Sequence, residues 1–260
     1  MPPPSSPLFE VIPHIAFLLI LAAFVAGFVD SIAGGGGLIT VPALLLAGAN
    51  PLEALATNKL QGSFGSGAAM VTYASKGHIK LREQAVMAGV SAIAAAGGAL
   101  AAHLLPAAAL RVIMPLVLIA VAIYFAVKPG LSDDDKAQRL SPAMFTFTFV
   151  PLIAAYDGFF GPGTGSFFML GFVLLAGYGL LRATAHTKTL NFASNIGSFA
   201  VFAWSGAVWW LVGLCMGLAQ MAGAMLGARL AMRIGAGLIK PLIVVTSTAM
   251  AARLLWQIWG

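Results

Sequence analysis

Charged residues are scarce in this chain. Asp, Glu, Lys and Arg make up only 8% of its 260 residues, whereas 60% are hydrophobic, and the mean hydropathy is +0.95. Soluble domains carry about 25% charged residues, so this composition excludes an ordinary soluble protein. The hydrophobic runs are long enough to cross a bilayer, which takes about 20 residues as helix. They are continuous and lack the short alternating pattern of a transmembrane barrel, so we expect an all-α polytopic membrane protein.

Cysteine and recognisable catalytic patterns are equally scarce. Cys215 is the only cysteine, which excludes an internal disulfide and favours a packing role. There is no Cys/His metal spacing, no GxxxxGK[ST] motif and no nucleophile–base pair in recognisable context. The sequence therefore predicts no enzyme, no metal and no cofactor. Its net charge of +6 comes from basic residues scattered over helix ends and loops, a pattern that indicates membrane orientation and not nucleic-acid binding.

What the chain does contain is one pattern that occurs twice. Asp30 precedes the glycines of GFVDSIAGGGG, and Asp157, 127 positions later, precedes GPGTG. Lys59 follows in ATNK, and Lys188, 129 positions later, follows in TAHTK. A slowly drifting offset over most of the chain indicates a duplicated unit with small insertions. We therefore predict an N-terminal transmembrane repeat, a polar linker and a C-terminal transmembrane repeat, at 1–128, 129–142 and 143–260.

Each predicted repeat holds about four hydrophobic segments, the second of which is interrupted. In the first repeat they cover 14–33, 38–48 with 52–75, 84–105 and 108–127. In the second repeat they cover 143–160, 166–177 with 183–205, 208–233 and 237–258.

The interruptions fall at Asn50–Pro51 and Gly177–Gly179, each after a glycine cluster, Gly34–Gly37 or Gly161–Gly165. Gly and Pro open the helical hydrogen-bond ladder, and such backbone persists at membrane depth only where protein buries it or a watery cavity touches it. Discontinuous helices at matching places in two repeats are typical of a transporter's binding site.

The relative orientation of the two repeats stays open at this point. Four full spans per repeat would make them parallel, and one re-entrant pair per repeat would make them inverted. With four spans, the loop containing Lys76 and the central linker share one face, which would be cytoplasmic. Against this, three more basic residues would then lie outside: Arg229, Arg233 and Lys240.

The glycine clusters and the polar stretches around the two lysines resemble those of the TauE/SafE family of sulfite exporters, and the resemblance extends over nearly the whole chain. The resemblance rests on the duplicated order of Asp30–Gly37, Pro42, Ala56–Lys59, Gly161–Gly165 and Thr184–Asn195. It implies export of sulfite, sulfoacetate or another small organic anion across the bacterial inner membrane. We expect a carrier that works by alternating access, with an anion channel as the alternative and a membrane enzyme or assembly factor as a third interpretation.

The two lysines define the predicted substrate site. An ammonium charge, hydroxyl and amide donors and free backbone N–H groups suit the oxygens of a sulfite or sulfonate. Helix starts after the glycine clusters would add positive dipole ends. The candidate substrate-binding residues are Lys59, Lys188, Asn58, Thr57, Gln61, Ser63, His186, Thr187, Asn191, Asn195, Gly36, Gly37, Gly163, Thr164 and Gly165.

The acidic residues and the histidine have competing interpretations. Asp30 and Asp157 could couple transport to protons, or they could accept hydrogen bonds from the glycine-loop amides that follow them. In the structural interpretation Asp30 pairs with Lys59 and Asp157 with Lys188, since a buried charge needs a partner. His186 could contact the anion, move protons or be structural. The expected partners are a small anion and the lipid bilayer, with proton coupling and a homo-oligomer left open.

Overall fold

A computed structural model of the chain describes residues 10–106 and 137–235, together with positions 108, 116 and 237. Every regular element in those ranges is helical, which confirms the all-α prediction. The predicted segments 108–127 and 237–258 and most of the linker lie outside the described residues. So do the basic residues Arg111, Lys128, Lys136 and Lys240.

The helices of the first half follow the predicted segments closely. They are α1 (Pro13–Ala33), α2 (Gly37–Leu46), α3 (Pro51–Ser75) and, after a 3₁₀ turn at Leu81–Gln84, α4 (Ala85–Leu104). The break between α2 and α3 falls where Asn50–Pro51 predicts it, because Asn50 caps the new helix. Asn50 Oδ1 accepts from Glu53 N at 3.0 Å, and Glu53 Oε2 accepts from Asn50 N at 2.7 Å, a reciprocal capping box.

The second half repeats this order of elements. A helical turn at Pro142–Met144 and a π-helical segment at Phe145–Phe149 lead into α5 (Val150–Phe159). There follow α6 (Thr164–Leu174), α7 (Leu180–Trp204) and α8 (Trp210–Ile234). In both halves a short helix after a glycine turn precedes a 25-residue helix, α3 or α7. This order supports the duplication, which stays a prediction.

Within the described residues, three helical stretches are long and apolar enough to cross a membrane: Pro13–Ala33, Leu81–Leu104 and Trp210–Ile234. The two other long helices, α3 and α7, carry the polar residues around Lys59 and Lys188, which are buried inside the bundle. Because protein and not lipid surrounds these polar residues, the two helices can cross the membrane without exposing them.

Helix α3 runs parallel to α8. Near its start, Thr57 Oγ1 accepts from Trp209 N at 3.0 Å. Further along, Phe64 packs against Gly217, and Gly65 packs against the side chain of Gln220. The residue numbers rise together on the two helices, so both end on the same side of the bundle.

Helix α3 runs antiparallel to α7, its counterpart in the second half. Asn195 lies against Gly62 and Ser66, whereas Phe192, one turn earlier in α7, lies against Gly67. Residue numbers fall on one helix as they rise on the other. Of the two arrangements that the sequence leaves open, this geometry supports inverted repeats.

Consequently Arg229 and Arg233 lie at the same end of the bundle as Lys76, which follows α3. The four-span arrangement would place these two arginines on the opposite face, and the parallel packing of α3 and α8 therefore counts against it. The start of α7, with Arg182, lies at this end as well. Apart from Lys59 and Lys188, every described Lys and Arg is found there: Lys76, Lys80, Arg82, Arg139, Arg182, Arg229 and Arg233.

Candidate functional site

The two glycine turns meet in the middle of the bundle. Ser166 Oγ, after the second turn, donates to the carbonyl oxygen of Ala33, before the first, at 2.9 Å. Gly34 has φ 79°, and a Cβ there would overlap the backbone of Gly165 and Ser166. Glycine is required here both for the left-handed conformation and for the close approach. The ends of four helices (α1, α2, α5 and α6) therefore converge on one place.

Side chains hold each turn in shape. Asp30 Oδ1 accepts from the backbone N–H of Gly36 at 3.1 Å, which is the structural role that the sequence suggested for this acid. In the second turn, the Tyr156 hydroxyl donates to Pro162 O at 2.7 Å. Thr164 Oγ1 donates to Gly161 O, also at 2.7 Å. These bonds satisfy backbone groups that the interrupted helices leave open.

Both central lysines are buried and paired with acids. Lys59 Nζ lies 2.8 Å from Asp157 Oδ1, and Lys188 Nζ lies 3.3 Å from Asp30 Oδ2 and also donates to the Asp30 carbonyl oxygen. The lysines are 1% and 0% exposed. The structural interpretation is right that pairs form but wrong about the partners. The pairs are crossed because each glycine turn lies against the lysine-bearing helix of the other half.

A small polar cavity of about 30 Å³ lies between the turns and α3, α7 and α8. It has room for a water molecule or two. Its walls combine two carboxylates, glycine backbone and amide side chains; they are Asp30, Gly35, Gly36, Gly37, Asn58, Gly62, Asp157, Gly161, Gly163, Thr164, Gly165, Asn191, Asn195 and Gln220.

Hydrogen bonds orient the amides of this cavity. Asn58 Oδ1 accepts from Thr40 Oγ1 at 2.7 Å and from Gln61 Nε2 at 3.1 Å. Its own N–H₂ group is then left to donate elsewhere. Asn195 Nδ2 lies 3.3 Å from Ser66 Oγ, to which it donates. The cavity therefore offers donors as well as carboxylate oxygens. In the described part of the chain, no three His, Cys, Asp or Glu side chains cluster as a metal site would require.

Most predicted site residues line this cavity, but several do not. Asp30, Asp157, Asn58, Asn191, Asn195, Gly36, Gly37, Gly163, Thr164 and Gly165 are in its walls. The two lysines lie behind the carboxylates. Thr57 accepts from Trp209 N, and Ser63 Oγ donates to the Lys59 carbonyl at 2.8 Å. Gln61 donates its side-chain N–H to Asn58 Oδ1, and Thr187 is buried outside the cavity wall.

His186 lies away from the cavity, towards the basic end of the bundle. Its Nδ1 is 2.7 Å from Gln84 Nε2, and its ring packs against Phe172 and Tyr178, with centroids 5.6 and 4.9 Å away. These contacts support the structural interpretation of this histidine. They tie α7 to the 3₁₀ turn before α4.

Four wall residues were not among the predicted site residues. Gly35 and Gly161 belong to the glycine clusters that the sequence singled out, whereas Gln220 and Gly62 lie outside them. Gln220 comes from α8, where it is the one amide in an otherwise apolar or small-residue stretch. A single amide in such a stretch was the sequence feature that could have marked Gln220 as a site residue. Gly62 comes from α3, and its bare backbone faces the Asn195 amide. It has no signal of its own, because a glycine in a membrane helix is common.

Comparison with known proteins gives consistent matches. The family model described as "Sulfite exporter TauE/SafE" matches residues 19–254. The chain is 59% identical over 242 residues to "Probable membrane transporter protein ORF9" of Sinorhizobium sp, covering 93% of both chains. It is 42% identical over 253 residues to "Probable membrane transporter protein YfcA" of Escherichia coli (strain K12), covering 97% of this chain and 94% of that protein. No solved structure matches the chain.

Proposed function

Because the chain belongs to the TauE/SafE family of membrane transporters, we propose that it exports a small sulfur-containing anion across the bacterial inner membrane. Sulfite, sulfoacetate and other organosulfonates are the substrates that the family description suggests. The relatives' names indicate a membrane transporter and not an enzyme, and they specify no substrate.

The observation that carries this proposal is the polar cavity between the glycine turns, with two buried ammonium groups behind its carboxylates. The two Lys–Asp pairs cancel in charge, so an entering anion has to find a positive group within them. Lys59 Nζ lies close to the cavity wall, since a Cβ at the wall residue Gly161 would be 3.2 Å from it. We infer that an oxygen of the anion replaces Asp157 at Lys59, while the amide of Asn58 donates to another oxygen.

The size of the cavity supports alternating access. A sulfite ion has a sulfur and three oxygens, whereas about 30 Å³ holds one or two waters. The structure is thus a closed form, and the anion binds only when the glycine turns move apart. The crossed ion pairs join the two halves, so opening the site must break or lengthen them. A closed site of this kind favours a carrier over a continuous channel.

The two acids are proposed to have different roles. Both carboxylate oxygens of Asp30 are bonded, one to Gly36 N and one to Lys188 Nζ. Asp157 uses only Oδ1, for Lys59, and its buried Oδ2 has no hydrogen-bond partner within the described residues. A proton taken up at this oxygen would remove the charge left when an anion displaces the carboxylate from Lys59. We infer that Asp157 couples transport to protons and that Asp30 is structural.

The distribution of the described basic residues supports one orientation in the membrane. Cytoplasmic loops carry an excess of Lys and Arg, so the end with Lys76, Arg182 and Arg229 faces the cytoplasm. The start of α1 and the loop between α7 and α8 then face outward, since Glu10 Oε1 accepts from Leu211 N at 3.1 Å.

Reconstitution tests the function. Purified protein in liposomes should take up sulfite or sulfoacetate with saturation, and internal unlabelled substrate should accelerate uptake by exchange, which a channel does not show. Lys59→Gln and Lys188→Gln should lower the rate at least tenfold. Lys80→Gln is the matched control, because Lys80 is an exposed lysine whose one ion pair in the described ranges is with Glu83. Normal flux in both central variants would overturn the site.

A further inference from the structure

A second, open cavity of about 910 Å³ lies between the ends of α3 and α8. Four basic groups line it: Lys76 and His78, which follow α3, and Arg229 and Arg233 on the last turns of α8. Met225 and Met232 contribute apolar surface to the same walls.

Among the described residues, no acidic side chain pairs with the positive charges of this cavity. Lys76, Arg229 and Arg233 make no ion pair or side-chain hydrogen bond with any residue in the described ranges. Snorkelling to the headgroups accounts for a basic residue at a helix end. It does not account for charges from two separate elements converging on one hollow, where their mutual repulsion is unfavourable without an anion.

The cavity lies on the path from the central site to the cytoplasm. Gln220, in the wall of the central cavity, and Met225 and Arg229, in the wall of the basic one, are on the same helix. At 1.5 Å per residue these positions lie roughly 7 and 14 Å beyond Gln220. On α3, Gly62 likewise lies in the wall of the central cavity, and Thr72 lies in the wall of the basic one. Because α3 and α8 are parallel, the interface between them runs from the central cavity towards the basic one.

We propose that this basic cavity binds the exported anion at the cytoplasmic face, before the anion moves to the central site. The proposal rests on the proposed export function. Arg229 and Arg233 bind the sulfonate or sulfite oxygens, and the methionines contact the short carbon chain of an organosulfonate. A basic cavity raises the local concentration of anions, an effect that salt screens. It therefore lowers KM without being required for the transport step.

Inside-out membrane vesicles, which expose the cytoplasmic face, test this directly. In Arg229→Gln/Arg233→Gln, KM for sulfoacetate should rise about five- to tenfold at low salt with kcat retained, and the difference should shrink at high salt. In right-side-out vesicles KM should stay at the wild-type value. The matched control is Lys80→Gln/Arg82→Gln, which removes the same charge from the same end but outside the cavity, and which should leave KM within about twofold.

Three outcomes would overturn the proposal. One is an unchanged KM in inside-out vesicles of the double arginine variant. Another is an equal rise in the Lys80/Arg82 control, which would mean general surface charge. The third comes from reconstituted protein: a KM difference seen only in liposomes containing phosphatidylglycerol, and absent in pure phosphatidylcholine, would assign the cavity to a lipid headgroup.

A binding measurement separates this site from the export function. Sulfoacetate should raise the thermal unfolding midpoint of purified wild-type protein more than chloride does at the same ionic strength. The extra shift should fall in Arg229→Gln/Arg233→Gln, and an undiminished shift in that variant would also overturn the proposal. If the wild type transported none of the anions, the export function would fail, while a shift that depends on Arg229 and Arg233 would still show an anion site.

Discussion

Lys59 and Asp157 form an ion pair across the two halves of the chain, with Nζ 2.8 Å from Oδ1 and both side chains almost completely buried. Lys188 and Asp30 form the second such pair in the opposite direction. Each half of the chain therefore contributes one lysine and one aspartate to the ion pairs with the other half. The two pairs cancel in charge, and the proposed substrate anion would have to compete with a carboxylate that is already in place.

The first prediction separates stability from transport at this pair. Lys59→Gln leaves Asp157 buried without its partner, so it should lower the free energy of unfolding by about 3–5 kcal/mol. Lys59→Gln/Asp157→Asn removes both charges and should restore most of that stability. The free energy of unfolding of each variant can be measured by SDS-induced unfolding. Transport should be lost in both variants, and recovery of transport along with stability in the double variant would show that the pair is only structural.

A second prediction concerns the contact between the glycine turns. Gly34 (φ 79°) and Gly77 (φ 77°) have nearly the same backbone conformation, but only Gly34 has neighbours where a Cβ would lie. Alanine at Gly77 should cost about 1–2 kcal/mol, the penalty of the left-handed conformation. Alanine at Gly34 should cost clearly more and should reduce flux. Equal losses in thermal unfolding would contradict the close approach of the turns.

The third prediction concerns proton coupling. Asp157→Asn should abolish stimulation of transport by a pH gradient, because the unpartnered carboxylate oxygen is gone, while exchange of labelled for unlabelled substrate continues at a reduced rate. Asp30→Asn should instead lower the thermal unfolding midpoint, since Asp30 supports both Gly36 and Lys188. Liposomes with an imposed pH gradient provide the measurement. A pH-stimulated flux that survives in Asp157→Asn would exclude Asp157 as the coupling group.

The fourth prediction is the orientation. In a Cys215→Ala background, Lys80→Cys should react with a membrane-impermeant maleimide only after cells are opened, because we propose that the basic end faces the cytoplasm. Ala207→Cys, in the loop at the opposite end, should react in intact cells. The reverse pattern would invert the orientation, and with it the side assigned to the basic cavity.

The sequence predicts the helices well because the signals are local. Glycine, proline and capping residues break the chain at the same positions in sequence and in structure, as Asn50 and Pro51 show. The central cavity is also largely foreseen, since Asp30, Asn58 and Asn191 lie in polar sequence next to those breaks. Only Gln220, which comes from a helix with no break, and Gly62 escape this kind of reasoning.

Pairing and direction could not be predicted, because both depend on how distant helices pack. Lys59 has Asp30 as its near neighbour in sequence, yet it pairs with Asp157. Nothing in the residue types distinguishes the two acids. Likewise Lys76 and Arg229 lie on one face only because α3 and α8 are parallel, a relation that neither helix encodes alone. The same packing moves His186 away from the cavity despite its place in the polar TAHTK stretch.

The crossed pairs also constrain how the protein is made. Lys59 is synthesised about a hundred residues before Asp157, and the stretch of chain between Asp30 and Lys188 is longer still. A nascent chain that stops between the halves would hold an acid and a base in the bilayer without their final partners, at a cost of several kcal/mol for each buried charge. Such a fragment is a natural target for membrane quality control, and co-expressed halves should accumulate only when both are present.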